Sequence, residues 1–304
     1  MYLIVGANGF LGSYLISCIL TNTNDKIIAT TRNNKEIFIQ NDRIIWKECD
    51  IEQYNSVDEL SKFIDKQEQP IKVIFLSAFH HPDKVQKYPK LAWNINVTSL
   101  SYFLNKLDNV KCFFYPSTDT VYGESINGYH FLESDVLKPV NLYGVQKKTA
   151  EKIVIGYGYN VIRFPFLIGP SLLKHKKHFF DEIVETLKGN NQIKMFSDSF
   201  RSSLDFNTAA FLLIQLCENY NIDMPKIFNI SGDKDLSKYD VALEIARILN
   251  LDNSFILPIS ASHSNGIFEA TRAQSTLLDN SKLKQYLKLE EINLDLEWIK
   301  GGVQ

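Results

Sequence analysis

The sequence predicts an α/β protein, a doubly wound parallel sheet joined to a smaller α/β lobe. Three observations point there. Short, unbroken apolar runs alternate with longer amphipathic ones through the first half of the chain. Strands buried on both faces read this way, and their alternation with helices argues for parallel strands covered on both sides. A glycine-rich turn, Gly6-Ala-Asn-Gly9-Phe-Leu-Gly12, directly follows the first apolar run. At 304 residues, 45% hydrophobic and 22% charged, the chain can bury a sizeable core in one large domain or two closely joined ones.

In order, Tyr2 to Val5 reads as a buried strand, followed by the glycine turn and a helix to about Leu20. Lys26 to Thr30 and Ile44 to Trp46 are the second and third strands. Ser56 to Lys66 is a helix, with Ser56 expected as its cap and Glu59 three residues on. Val73 to Leu76 is a strand, Pro89 to Lys106 one long helix, and Cys112 to Tyr115 a strand. Tyr143 to Ile155 is a helix and Val161 to Phe164 a strand. Right-handed crossovers between such strands make the sheet doubly wound. After Pro165 the pattern loosens. Helices are expected at Phe179 to Leu187, Thr208 to Glu218, and near 237–249 and 281–287, with a strand at Ile227 to Ile230.

The formal net charge is −2. No basic excess argues for nucleic acid, and no basic amphipathic run argues for a membrane surface. The apolar amino terminus resembles a secretion signal, but no basic residue precedes it, and Gly6, Asn8, Gly9 and Gly12 interrupt it. Cys18, Cys49, Cys112 and Cys217 are far apart and form no Cys-x-x-Cys pair. They are expected to be reduced, mostly buried thiols of a cytoplasmic protein.

The glycine turn is the first functional signal. Its first glycine permits a tight turn, the second lets backbone N–H groups approach a pyrophosphate, and the third lets helix and strand pack closely. The helix N-terminus then faces the phosphate charge. The strand–turn–helix context makes this a Rossmann-type dinucleotide site. Residues 1–165 with about 205–231 are expected to form the dinucleotide-binding domain, and 166–204 with 232–304 the substrate-binding lobe. An acid at the end of the second strand would favour NAD. The chain has Thr30-Thr31-Arg32-Asn33 there. Arginine can pair with a ribose 2′-phosphate through its planar fork, so NADP(H) is favoured over NAD(H).

Tyr143-Gly-Val-Gln-Lys147 opens a helix, and a spacing of four puts both side chains on one face. A nearby ammonium is expected to lower the phenol's pKa. Such a tyrosine can exchange a proton with a carbonyl or alcohol oxygen while a nicotinamide moves a hydride. Pro116-Ser-Thr-Asp-Thr-Val-Tyr-Gly123 follows a buried strand, where ligand crevices lie. Thr118 can hydrogen-bond a substrate oxygen, whereas Ser117 is expected to stabilise its own turn.

These segments resemble the extended short-chain dehydrogenase/reductases, particularly the dTDP-4-dehydrorhamnose reductase branch. Also carrying the resemblance are Ser77-Ala-Phe-His-His-Pro-Asp83, Asn94-Ile-Asn96, Pro139-Val-Asn-Leu-Tyr-Gly-Val-Gln-Lys147 and the stretch from Arg272 to Lys282. The resemblance implies a catalytic set of Thr118, Tyr143 and Lys147. It implies a cofactor lined by Gly6, Asn8, Gly9, Phe10, Leu11, Gly12, Arg32, Asp50, Ile51, Ser77, Ala78 and Phe79, with Tyr143 and Lys147 also touching it. Asn96 resembles a structural asparagine behind the site. Substrate contacts are expected from Asp119, Asn141, Arg201 and Arg272, the arginines meeting a diphosphate.

Three departures from the family's pattern bear on function. The dehydratases follow Ser-Thr-Asp with glutamate, but this chain has Thr120, which removes one of two proton-transfer acids. The aspartate seven residues after the arginine is Thr208 here. Phe79, His80 and His81 replace the usual small residue and its neighbours, and adjacent histidines on an extended chain point apart, so no metal is expected.

The expected function is reduction of a 4-keto nucleotide sugar in deoxysugar or surface polysaccharide biosynthesis, with a homodimer as a possible assembly. The alternatives are an epimerase or dehydratase holding NAD tightly, and a non-catalytic subunit like the regulatory subunit of methionine adenosyltransferase, a near relative of these reductases.

Overall fold

The computed structural model describes residues 1–33, 37–174, 176–261 and 268–301. Seven strands form one sheet: β1 (Tyr2–Val5), β2 (Ile27–Thr31), β3 (Ile44–Glu48), β4 (Ile71–Phe75), β5 (Val110–Thr118), β6 (Asn160–Phe164) and β7 (Ile227–Asn229). Their spatial order is β3-β2-β1-β4-β5-β6-β7, and every neighbouring pair is parallel. The order reverses between β1 and β4, paired from Tyr2 with Lys72 to Val5 with Phe75. A crevice opens at such a switch point, beyond the strands' carboxyl ends.

Alternate residues of each strand feed opposite faces. On one face Tyr2, Ile4, Ile74 and Phe114 pack with α1 (Phe10–Asn22) and α8 (Phe206–Glu218). On the other, Leu3, Val5, Val73 and Phe113 pack with α2 (Tyr54–Asp65), α5 (Ser99–Asn105) and α6 (Leu142–Gly156). The expected doubly wound sheet is therefore the observed one.

A third core lies outside the sheet. Ile183 and Leu187 of α7 (Phe179–Lys188) pack with Val241 and Ile245 of α9 (Lys238–Leu249), and with Met195, Ile256 and Leu296. A parallel pair, Ile193–Phe196 with Ile256–Ile259, backs it. Phe200 and Arg201 pair antiparallel with Ser237 and Leu236, and Arg201 bridges to Thr276. Three distant segments thus meet beside the crevice.

Two local expectations change. The single helix expected over Pro89–Lys106 is α4 (Pro89–Trp93), a π-helical turn (Asn94–Thr98) and α5. The wide turn carries Asn96, whose amide accepts from Phe79 N at 2.8 Å and donates to Phe79 O at 3.1 Å and Gln146 at 2.8 Å. Such π turns accommodate one residue with a specific inward task. Ser56 does not cap α2, which starts after Gln53; the Ser56 hydroxyl instead accepts from Asp50 N at 3.1 Å. Between β4 and α4 lies α3 (Pro82–Lys87), begun by a proline at its first turn. No helix among the described residues is long and apolar enough to cross a membrane.

Candidate functional site

A cleft of about 990 Å³ runs along the carboxyl ends of the strands and beside the third core. At one end is the glycine turn. Gly6 sits at φ +84°, and a Cβ there would lie 2.8 Å from Ser77 Oγ. A Cβ at Gly12 would lie 2.4 Å from the Ala7 carbonyl oxygen, so only glycine lets α1 pack this closely on the turn. Gly9 precedes α1 and offers no side chain to cap it. The first amides of α1 are thus open to the cleft, a cradle that fits a pyrophosphate. The Asn8 amide ties the turn to β2 by donating to Thr31 Oγ1 at 2.9 Å. Arg32, just past β2, is exposed, borders the cleft, and makes no hydrogen bond or ion pair among the described residues.

Gly6, Gly9, Phe10, Leu11, Gly12, Arg32 and Ala78 of the expected cofactor set line this cleft. Asn8, Asp50, Ile51, Ser77 and Phe79 do not. Ile51 is buried, Asp50 accepts from the Glu52 amide at 3.1 Å, and Phe79 is held at both backbone ends by Asn96.

Thr118, Tyr143 and Lys147 all line the same cleft. Thr118 ends β5; its hydroxyl donates to Asp119 Oδ1 at 2.9 Å and accepts from Thr120 N at 3.3 Å. Tyr143 sits in the first turn of α6 and Lys147 one turn on. The Lys147 ammonium donates to the Tyr115 hydroxyl at 2.7 Å and to the Pro116 carbonyl at 2.6 Å. Burial pushes its pKa down to about 7. The expectation that Lys147 lowers the Tyr143 pKa is not met. Burial, and then the Asp119 charge, push the phenol above its ordinary value.

Asn141, expected to contact substrate, has both ends of its amide engaged. It caps α6 by accepting from Gly144 N at 2.9 Å and donates to Thr271 O at 2.9 Å. A helix start is expected here, and asparagine is among the residues that cap such a start. Ser117 does not stabilise its own turn. Its hydroxyl donates to Glu151, which forms a buried ion pair with Arg163 at 2.7 Å. That pair underlies the floor of the site.

Cations gather at the far end. Arg201 Nε lies 3.4 Å from Asp119 Oδ2. Arg272 pairs with Asp83 at 3.0 Å and lies 5.0 Å over the Phe268 ring. Burial pushes the Asp119 carboxyl up, partly offset by Arg201. Asp119 Oδ2, Ser203 Oγ and Arg272 Nη1 are buried without a hydrogen-bond partner, and all three residues line the cleft. Buried polar atoms are normally satisfied, so their grouping fits a polar ligand. Lys238 and His80 also line the cleft. Lys238 is not among the expected contacts, since a lysine at a helix start carries no local signal.

The profile of a family described as RmlD substrate binding domain matches residues 1–297. Among curated relatives, methionine adenosyltransferase 2 subunit beta of Pongo abelii is 31% identical over 225 residues, 71% of this chain and 65% of that protein. The match thus spans just under two thirds of that relative's length. Among solved structures, dTDP-4-dehydrorhamnose reductase from Bacillus anthracis in complex with NADP superposes with a TM-score of 0.75 at 20% identity, covering 96% of this chain and 94% of that one. UDP-glucuronic acid 4-epimerase from Bacillus cereus, in complex with UDP-glucuronic acid and NAD, gives 0.78 at 18% identity, covering 97% and 95%. At those identities the likeness establishes the fold.

Proposed function

The chain belongs to the RmlD substrate binding domain family, and on that premise we propose that it is an NAD(P)H-dependent reductase of a 4-keto nucleotide sugar. One observation carries the reading. A single cleft joins an open phosphate cradle, a protonated phenol flanked by Thr118 and Lys147, and a cationic far wall. NADP(H) is the favoured cofactor, with Arg32 on its 2′-phosphate. The proposed role is deoxysugar or surface polysaccharide biosynthesis in the cytoplasm, in keeping with four buried free thiols.

When bound, the nicotinamide supplies hydride to the keto carbon. Thr118 would hold the substrate oxygen by its hydroxyl, whose one proton would turn to it from Asp119. Tyr143 gives its phenolic proton to that oxygen; burial and Asp119 keep the phenol in its donor form at neutral pH. Lys147 has one N–H left after Tyr115 and Pro116, and it is available to a ribose hydroxyl. Arg272 Nη1 and the wall around it meet the nucleoside diphosphate. Thr120 in place of glutamate disfavours a dehydratase.

The test is NADPH consumption with a panel of 4-keto nucleotide sugars. Turnover of one of them supports the proposal; turnover of an unrelated ketone alone would sink it. Protein that purifies with NAD held tightly and ignores free NADPH would instead be an epimerase. The likeness to methionine adenosyltransferase 2 subunit beta favours a second reading, a non-catalytic subunit. That reading requires a stoichiometric partner in a pull-down and no turnover for Tyr143→Phe to abolish.

A further inference from the structure

We propose that Lys238, a cation without a hydrogen bond or ion pair among the described residues, takes the substrate's diphosphate, and that Arg201 instead holds the cleft wall together. The proposal rests on the nucleotide-sugar reading above and alters which residue serves it. Three of the five N–H groups of Arg201 donate hydrogen bonds, and a fourth takes part in an ion pair. Nε faces Asp119 at 3.4 Å. Nη1 donates to Phe200 O at 2.7 Å and Gln274 O at 2.9 Å, and Nη2 to Ala273 O at 2.8 Å. These bonds staple the segment at 273–274 to the strand at 200–201. A phosphate reaching Arg201 would have to displace one of them or use the single remaining donor.

Lys238 differs in every respect. It is the first residue of α9, next to Ser237, which pairs with Phe200. Its ammonium lines the cleft and makes no hydrogen bond or ion pair among the described residues. Asp240, two residues on in the same helix, is occupied with the Ser237 cap. Lys238 lies 4.8 Å over the Phe179 ring and 5.7 Å over Phe166, which position the charge without neutralising it. Burial, Arg201 and Arg272 all disfavour its charged form, with Glu182 a weaker opposing influence. An ammonium held beside two guanidiniums, without a counter-ion in contact, is unfavourable until an anion arrives. Arg272 Nη1, buried and unpartnered, faces the same cleft. The two together offer a dianionic diphosphate two charge-assisted contacts.

The experiment is calorimetric titration of UDP and dTDP into protein saturated with NADP⁺, for the wild type, Lys238→Met and Lys238→Arg. The expected loss in Lys238→Met is about tenfold or more in affinity, the range for a hydrogen bond to a charged group. Lys238→Arg should recover most of it. NADPH affinity, unchanged in both variants, checks that the fold is intact. Wild-type affinity for both nucleotides in Lys238→Met overturns the Lys238 assignment and leaves the nucleotide-sugar reading standing. Wild-type protein that binds NADPH but neither nucleotide overturns that reading, and this assignment with it.

Discussion

Lys147 donates to the Tyr115 hydroxyl at 2.7 Å, one strand away, although it shares a helix face with Tyr143. Tyr115 is fully buried, so the ammonium is held from behind the site. Burial brings the Lys147 pKa down to about 7, far below its ordinary 10.5. The charge is present below about 7 and lost above it. kcat/KM should therefore fall as pH rises through about 7. Tyr115→Phe removes an acceptor that favours the charged form, so the fall should move to lower pH. Coincident pH profiles for the two proteins would refute the link. For stability the sign is opposite. The unfolded chain keeps this proton up to 10.5, so the group's contribution rises as pH climbs from about 7.

Tyr143→Phe should lower kcat by about a hundredfold or more, the size of a lost general acid. NADPH affinity should change little. Near-wild-type turnover would mean that the proton comes from another group.

Arg32 borders the cofactor end of the cleft and makes no hydrogen bond or ion pair among the described residues. Arg32→Ala should weaken NADPH binding by roughly tenfold or more, the loss of a charge-assisted pair with the 2′-phosphate. NADH binding should be nearly unchanged. Equal effects on both, measured by fluorescence titration, would remove the NADP preference.

His178 caps α7 by accepting from Phe180 N at 3.4 Å, and its ring packs 4.9 Å from Phe10 and from Phe206. Burial pushes its pKa down to about 4, from 6.5. As pH falls, the unfolded chain binds the proton first. Stability contributed by the neutral ring is whole above 6.5 and lost progressively toward about 4. Allowing for its partial exposure, about 2 kcal/mol should be at stake. His178→Asn, which can still cap, should flatten this part of the acid denaturation curve. An unchanged curve would show that another group titrates.

Much of the sheet was legible because strand burial is written locally. Tyr2–Val5, Val73–Leu76 and Cys112–Tyr115 are apolar runs that hardly any other structure accommodates. The glycine turn was equally plain, since Gly6 and Gly12 stand where a Cβ has no room. The helix over Pro89–Lys106 was not. Its hydrophobic pattern continues across Asn96, and only contacts with Phe79 and Gln146 make the turn widen.

By itself, then, the sequence determined the doubly wound sheet and the glycine turn, and it marked Thr118, Tyr143 and Lys147 as the candidate catalytic set, because each depends on spacing within one short segment. The tertiary structure alone decided what those groups touch. Lys147 turns to Tyr115 at 32 residues' separation, Ser117 to Glu151 at 34, and Arg201 to Ala273 at 72. No periodicity encodes such pairings. They are settled when burial forces each polar group to find a partner, and Lys238 stands out because, among the described residues, it found none.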